Sequence, residues 1–139
     1  MADAIVVELR GEPLGKGRPR FARLTGRAYT PARTRLYERN LAWAAKSAMR
    51  GRKPLDGPLK VIINALFGVP KSWTQKRRAA ALNSEIRPTK KPDFDNICKV
   101  IDAFNGIVWL DDCQVVEGTV IKSYSSRPAL LVTVFPIST

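Results

Sequence analysis

The chain has no histidine, and this absence removes more chemistry than any other feature of its composition. It excludes Ser-His-Asp and Cys-His nucleophilic catalysis, together with every nuclease that uses histidine as its general base. Cysteine is scarce too, since Cys98 and Cys113 cannot supply the three or four Cys and His ligands of a zinc site. Hydrolytic chemistry in this chain must therefore depend on carboxylates, lysines and a hard metal ion.

Long hydrophobic runs are also missing. No stretch of about 18 apolar residues is present, so no membrane-spanning helix is expected. The N-terminal residues lack a basic segment followed by an apolar stretch, so no signal peptide is expected and a cytoplasmic location is predicted. A length of 139 residues with 45% hydrophobic residues predicts one globular domain over residues 1–139.

Negative charge is rare, and its distribution is uneven. The net charge is +12, and residues 1–92 contain 21 Lys and Arg against 6 Asp and Glu. Residues 93–139 reverse the balance, with 3 basic residues against 6 acidic ones. A basic protein attracts nucleic acid through its phosphates, but an acidic site within it repels a polyanion unless a cation is bound there. This contradiction indicates a metal site on a nucleic-acid-binding protein.

Hydrophobic periodicity predicts an α+β fold with about four strands in one mixed sheet and helices packed on its face. The predicted strands are residues 4–10, 59–67, 107–110, 115–122 and 129–135. The predicted helices are Ala32–Met49, a short one from a Ser72–Gln75 capping box to about Leu82, and one after Pro92 that stops at Asn105-Gly106. The segment from Gly11 to Pro31 is predicted to be a long basic loop.

The acidic residues with the strongest chemical pattern begin the helix after Pro92. In Asp93-Phe94-Asp95 the alternation of an extended segment puts both carboxylates on one side. A helical wheel then places Asp95, Lys99 and Asp102 opposite the apolar stripe. Two carboxylates beside a lysine suit Mg²⁺ and the hydrolysis of a phosphodiester.

Each of these residues also has an ordinary structural interpretation. Asp95 is well placed as a helix N-cap, and Lys99 with Asp102 fits a solvated helix face. Asp111 and Asp112 fit a turn between strands. The functional interpretation depends on their clustering in a chain that is otherwise short of acids.

The basic residues fall into two candidate DNA-binding patches. In the first, glycines beside Lys16, Arg18 and Arg20 allow the backbone to approach phosphates closely. The second patch is Lys76, Arg77 and Arg78. A solvated charged surface explains the basic loop equally well. The tryptophans Trp43 and Trp73 are expected in the core or an interface rather than as base-stacking platforms.

Two segments resemble one known family. They are Asp93-Phe94-Asp95-Asn96-Ile97-Cys98-Lys99, with Asp102 following, and Trp109-Leu110-Asp111-Asp112-Cys113-Gln114-Val115-Val116. Together they resemble the D-x-D-N-x-x-K and D-D-x-Q-V motifs of the RusA family of Holliday junction resolvases. The basic loop and Tyr29-Thr30-Pro31 resemble members found in phages and prophages.

The resemblance implies a RusA-like fold and specific roles for the matching residues. Asp93, Asp95 and Asp112 match the metal-binding aspartates, and Lys99 matches the catalytic lysine. Asp111 matches a neighbouring acid of the same motif. Pro92 stands where some members carry an arginine, so its basic charge is expected at Lys90 and Lys91, with Lys91 a further DNA contact.

The family resemblance also implies a substrate, a cofactor and an assembly. A homodimer bound to a four-way DNA junction is expected to make paired symmetric nicks with Mg²⁺, and Mn²⁺ also suits an oxygen-rich site. Two alternatives stay open: a nuclease acting on other branched DNA such as flaps and forks, and a non-catalytic DNA-binding accessory protein of recombination.

Overall fold

A computed structural model of the chain describes residues 4–16, 20–29 and 31–138, and it arranges four strands in one mixed sheet. The strands in spatial order are β1 (Ile5–Arg10), β6 (Ala129–Pro136), β4 (Leu59–Gly68) and β5 (Val115–Ser125). Strands β1 and β4 both pair antiparallel with β6, whereas β4 and β5 are parallel. The predicted α+β fold with a four-stranded mixed sheet is confirmed.

Three helices accompany the sheet in the described part of the chain. They are α1 (Ala32–Met49), α2 (Gln75–Leu82) and α3 (Phe94–Lys99), and α3 continues directly into a 3₁₀ turn, Val100–Phe104. Helix α1 has the bounds that its periodicity predicts. No helix among the described residues is both long enough and apolar enough to cross a bilayer.

The hydrophobic core lies between one face of the sheet and the helices. Along β4, Val61, Ile63 and Phe67 are fully buried, and they alternate with partly exposed residues. The same core contains Leu41 and Ala45 of α1 and the apolar stripe of α3 and its 3₁₀ extension. That stripe is formed by Ile97, Val100, Ile101 and Phe104. The opposite face of α3 is therefore left for polar side chains.

Four local predictions need correction. Residues 107–110 do not form a strand, because Trp109 turns into the core and makes only isolated bridges to Leu55 and Asn105. Helix α2 is capped by Thr74, whose extended backbone lets its hydroxyl accept from the Arg77 N–H at 3.2 Å, and not by a box from Ser72.

The other two concern the start of α3 and the basic loop. Asp93, and not Asp95, is the N-cap of α3. The basic loop contains a short antiparallel ribbon of β2 (Arg20–Phe21) and β3 (Ala28–Tyr29). Gly26, with φ +67°, allows the turn that closes this ribbon.

Candidate metal centre and nucleic-acid interface

Asp93 occupies the N-terminus of α3. Its backbone is extended, and its side chain accepts a hydrogen bond from the Asn96 N–H at 3.1 Å. An aspartate at this position satisfies an otherwise unpaired N–H and places negative charge at the positive end of the helix. The residue is exposed, so the carboxylate remains accessible from solvent.

Asp95 and Lys99 form an ion pair along the polar face of α3. The Lys99 Nζ lies 3.0 Å from the Asp95 Oδ2, one helical turn away, and the two side chains are 52% and 72% exposed. Such an exposed pair contributes little to stability. Its consequence is geometric, because the pair holds the Lys99 ammonium next to the Asp95 carboxylate on an accessible surface.

Asp112 lies on a turn that the sequence builds with several specific hydrogen bonds. Asp111 caps the 3₁₀ turn Asp112–Gln114 by accepting from the Cys113 N–H at 3.2 Å. The Gln114 side chain accepts from the Leu110 and Asp111 N–H groups and donates to the Leu55 and Gly57 carbonyls. This network fixes the loop and so holds the backbone of Asp112 in a defined position.

The carboxylate of Asp112 lies against those of Asp102 and Asp111. Hydrogen bonding to Asp102, then to Asp111, together with their negative charges, raises the pKa of Asp112 from 3.8 to about 6. Backbone hydrogen bonding at Cys113 and the contact with Asp112 lower the pKa of Asp111. Like charges held this closely leave one carboxylate hard to ionise unless a cation is present.

Three acidic side chains influence the thiol of Cys98, a residue of α3. Partial burial raises the pKa of its thiol, and the negative charges of Asp95, Asp102 and Asp112 raise it further. The charges of all three carboxylates therefore act on the same thiol of α3. Asp102 was not among the predicted site residues, although its position on the helical wheel, seven residues after Asp95, was the available signal.

The donor set fits a hard divalent cation. It consists of carboxylate oxygens, which Mg²⁺ and Mn²⁺ accept, and contains no histidine. No group of three or more Cys, Asp or Glu side chains in the described ranges forms a ready-made metal cage. Asp95 and Asp112 both lie near Cys98, whereas the charge of Asp93 acts on Lys122. The three predicted ligands are thus neighbours of one acidic surface rather than one compact cluster.

Comparison with known proteins assigns the family. Residues 10–135 match the family described as Endodeoxyribonuclease RusA. The chain belongs to the RusA family. It is also 34% identical over 141 residues to a Bacillus subtilis (strain 168) protein described as uncharacterized protein YqaN, covering 98% of this chain and 99% of that protein.

Membership of the RusA family assigns the chain to the DNA endonucleases, and the family acts in Holliday junction resolution and recombination. Such nucleases generally use divalent metal ions. The match includes α3 and the Asp111-Asp112 turn, so the acidic surface lies within the matched residues.

Lys16 of this RusA chain contacts the acidic surface. Its Nζ lies 3.3 Å from the Asp102 Oδ2 and 3.7 Å from the Glu38 Oε1, while its backbone N–H donates to the Asn96 carbonyl. Gly15 packs so closely that an added Cβ would lie 2.7 Å from the Asn96 Cβ. Lys16 therefore attaches the start of the basic loop to α3, a role that the sequence did not suggest.

The other predicted DNA contacts lie on exposed surface where the structure describes them. Lys76 and Arg77 are on α2, and the Arg77 guanidinium stacks 3.8 Å from the centre of the Trp73 ring. Lys91 lines an open cleft of about 590 Å³ together with Arg33 and Lys90. Arg18 and the side chain of Arg20 lie outside the described residues. Unlike Lys16, the residues Lys76, Arg77 and Lys91 form no ion pair with an acid in the described ranges.

The raised pKa of Asp112 predicts an unusual pH dependence of stability. Without metal, the folded chain binds a proton at Asp112 near pH 6, whereas the unfolded chain binds it near pH 3.8. The contribution of Asp112 to the free energy of unfolding therefore increases as pH falls from about 7 towards 5. Because the chain lacks histidine, no histidine titration obscures this window.

Thermal unfolding in a chelating buffer at pH 7.0, 6.0 and 5.0 measures the effect. The melting temperature is expected to rise as pH falls, and Asp112→Asn is expected to remove most of the rise. A melting temperature that falls steadily from pH 7 to pH 5 in the parent chain would contradict the proximity of Asp102 and Asp112.

Proposed function

We propose that this RusA-family chain is a Mg²⁺-dependent endodeoxyribonuclease that resolves four-way DNA junctions by paired symmetric nicks. The observation that carries the proposal is the acidic surface beside α3, where Asp112 lies against Asp102 and Asp95 pairs with Lys99, in a chain of net charge +12. Family membership indicates the class of substrate, and the acidic surface is where the phosphodiester would be hydrolysed.

In this proposal Asp93, Asp95 and Asp112 bind the divalent cation. Asp102 lies beside Asp112 and adds negative charge next to its carboxylate. When bound, the cation polarises the scissile phosphate and lowers the pKa of a water molecule. Asp95 holds the Lys99 ammonium at 3.0 Å, from where Lys99 stabilises the charge that develops on the phosphate oxygens.

The basic patches would bind the arms of the junction. Lys76, Arg77 and Lys91 are exposed and unpaired with acids in the described ranges, so their charges are available for phosphates. The Trp73 ring limits the freedom of the Arg77 guanidinium, which lowers the entropy that Arg77 loses on binding. Arg18 and Arg20 of the basic loop remain predicted contacts.

Two symmetric nicks require two active sites, and we propose a homodimer. A surface suited to it is the sheet face that points away from the core. On this face Ile62, Leu131 and Phe135 are only partly exposed. The charges of its ionic residues sum to zero; these residues are Glu8, Arg10, Lys60 and Glu117. A second copy of a strongly basic chain can approach this face without net repulsion.

A synthetic four-way junction with separately labelled strands tests the proposal. With Mg²⁺ the parent chain is expected to cut two strands at symmetric positions, and sedimentation is expected to give twice the 15.5 kDa mass of the chain. Asp93→Asn is expected to abolish cleavage but preserve binding. Asparagine can still cap α3, so the substitution removes charge without removing the helix start.

The same assay separates the alternatives. Faster cutting of flaps or forks than of junctions in a competition assay would select a nuclease for other branched DNA. Junction binding that weakens with salt, without nicking under Mg²⁺ or Mn²⁺, would select the accessory protein. Cleavage by Asp93→Asn at the parent's rate would show that the metal site is wrongly assigned.

A further inference from the structure

Lys122 of β5 contacts the segment that leads into the candidate metal centre. In the parallel pairing of β4 and β5, Lys122 lies beside the fully buried Ala65. Its side chain is therefore directed towards the helical side of the sheet, where a lysine is unusual. Burial lowers the pKa of this ammonium, while the nearby charge of Asp93 raises it.

The ammonium of Lys122 is held by two backbone carbonyls. Its Nζ donates to the Lys90 carbonyl at 2.5 Å and to the Pro92 carbonyl at 2.9 Å. Hydrogen bonds from a charged donor are stronger than neutral ones, and a partly buried ammonium without them would be costly. The Pro92 carbonyl belongs to the peptide bond that joins Pro92 to Asp93, so Lys122 fixes the backbone immediately before the N-cap of α3.

Two other contacts fasten the same segment. The Arg87 Nε donates to the Lys122 carbonyl at 3.0 Å, so the segment and the strand are linked in both directions. The ammonium groups of Lys90 and Lys122 lie 5.3 and 5.5 Å from the centre of the Phe67 ring. A strand of the rigid sheet thus supports residues 87–92, which otherwise lie outside helices and strands.

We propose that Lys122 is a positioning residue for the nuclease reaction, which acts by holding the Lys90 and Pro92 carbonyls and thereby placing the Asp93 carboxylate. The inference rests on the proposed function, because it assumes that Asp93 takes part in cleavage. The groups that orient a metal ligand commonly change affinity or activity by about 10- to 100-fold when they are removed.

The test compares Lys122→Met and Lys122→Arg with Lys46→Met as a matched control. Lys46 also lies beside an aromatic ring, with its Nζ 5.4 Å from the centre of Trp43, but it is exposed on α1. Lys122→Met is expected to reduce the rate at saturating junction by about 10- to 100-fold with little change in junction affinity. Lys122→Arg keeps its donors and is expected to restore most of the rate, and Lys46→Met is expected to match the parent.

Amide hydrogen exchange provides a readout that does not depend on cleavage. In Lys122→Met, exchange is expected to accelerate in the peptides that cover residues 86–96 and to stay unchanged in β4 and β6. This measurement remains informative if the parent chain does not cut junctions, so a failure of the proposed function is distinguishable from a failure of the positioning role.

The Mn²⁺ concentration needed for half-maximal binding distinguishes a positioning role of Lys122 from a direct effect of its positive charge. Removing a positive charge beside Asp93 would by itself strengthen cation binding, whereas misplacing Asp93 weakens it. Lys122→Met is therefore expected to need more Mn²⁺ for half-maximal binding, measured by calorimetry on the protein alone. An unchanged exchange pattern, an unchanged cleavage rate or a lower Mn²⁺ requirement would each overturn the proposal.

Discussion

Asp112→Asn is expected to lose at least about 100- to 1,000-fold in junction cleavage while its metal-free form becomes more stable than the parent at pH 7.5. The loss of rate has the size that follows removal of one group that stabilises charge in a transition state. The gain in stability follows from the crowding of Asp112, whose pKa Asp102 and Asp111 raise to about 6. At pH 7.5 the folded parent carries an ionised Asp112 carboxylate beside two other carboxylates, and their repulsion lowers its stability. The asparagine variant has no such charge at this position.

Opposite effects on activity and stability are characteristic of a cation site rather than of a structural turn. If Asp112 were only a turn residue, its replacement would leave cleavage intact or would reduce activity and stability together. Cleavage with labelled junctions, and thermal unfolding with and without chelator, measure the two quantities. Added Mg²⁺ is expected to stabilise the parent more than the variant, because at a given concentration a ligand stabilises the folded state more when it binds more tightly.

Glu85→Gln is the matched control for this substitution. It removes one negative charge from an exposed residue that forms no ion pair in the described ranges. Its cleavage rate and melting temperature are expected to stay close to those of the parent. If Asp112→Asn also behaves like the parent, Asp112 is not part of the reaction.

The parts of the fold that the sequence predicts well depend on local chemistry. Helix α1 has its predicted bounds because its apolar residues recur at helical spacing and a glycine follows its end. Residues 107–110 were wrongly predicted as a strand, since their β propensity is local whereas the burial of Trp109 depends on distant partners. The parallel pairing of β4 with β5 is also non-local, because helices α2 and α3 lie between these strands in the sequence.

The candidate site divides in the same way. The helical wheel alone places Asp95, Lys99 and Asp102 on one face, because their spacing fixes their direction. The contact between Asp102 and Asp112 depends on how two separate segments pack, and the sequence alone does not show it. The contacts of Lys16 and Lys122 join residues 86 and about 30 positions apart, and no periodicity carries such information.

Trp109→Ala is expected to reduce the free energy of unfolding by about 3–5 kcal/mol, the usual cost of removing a large aromatic side chain from a packed core. Trp109 is fully buried, packs edge-to-face on Phe104 with ring centres 5.5 Å apart, and donates from its indole N–H to the Asn105 Oδ1 at 2.6 Å. For a chain of this length the loss corresponds to a decrease in melting temperature of about 10 °C or more.

Trp43→Ala is the control within the same chain, because Trp43 is 63% exposed on α1. Its cost is expected to stay within about 0.5 kcal/mol. Trp109→Phe keeps an aromatic contact but loses the hydrogen bond and leaves a small cavity, so its cost is expected to be about 1–3 kcal/mol, below that of Trp109→Ala. Urea unfolding with linear extrapolation measures all three variants. A cost below 1 kcal/mol for Trp109→Ala would show that this residue is not the core anchor described above.

The position of Trp109 links this loss of stability to the acidic surface. Trp109 lies three residues before Asp112, and Phe104 lies two residues after Asp102, so the aromatic pair joins the segments that bring these two carboxylates together. At a temperature where Trp109→Ala is still folded, the two segments are free to separate, and the pKa of Asp112 is expected to fall towards its ordinary value. The pH dependence of stability in the metal-free chain should then flatten in Trp109→Ala and persist in Trp109→Phe. The core aromatic pair would thus set the spacing of the carboxylates as well as the stability of the fold.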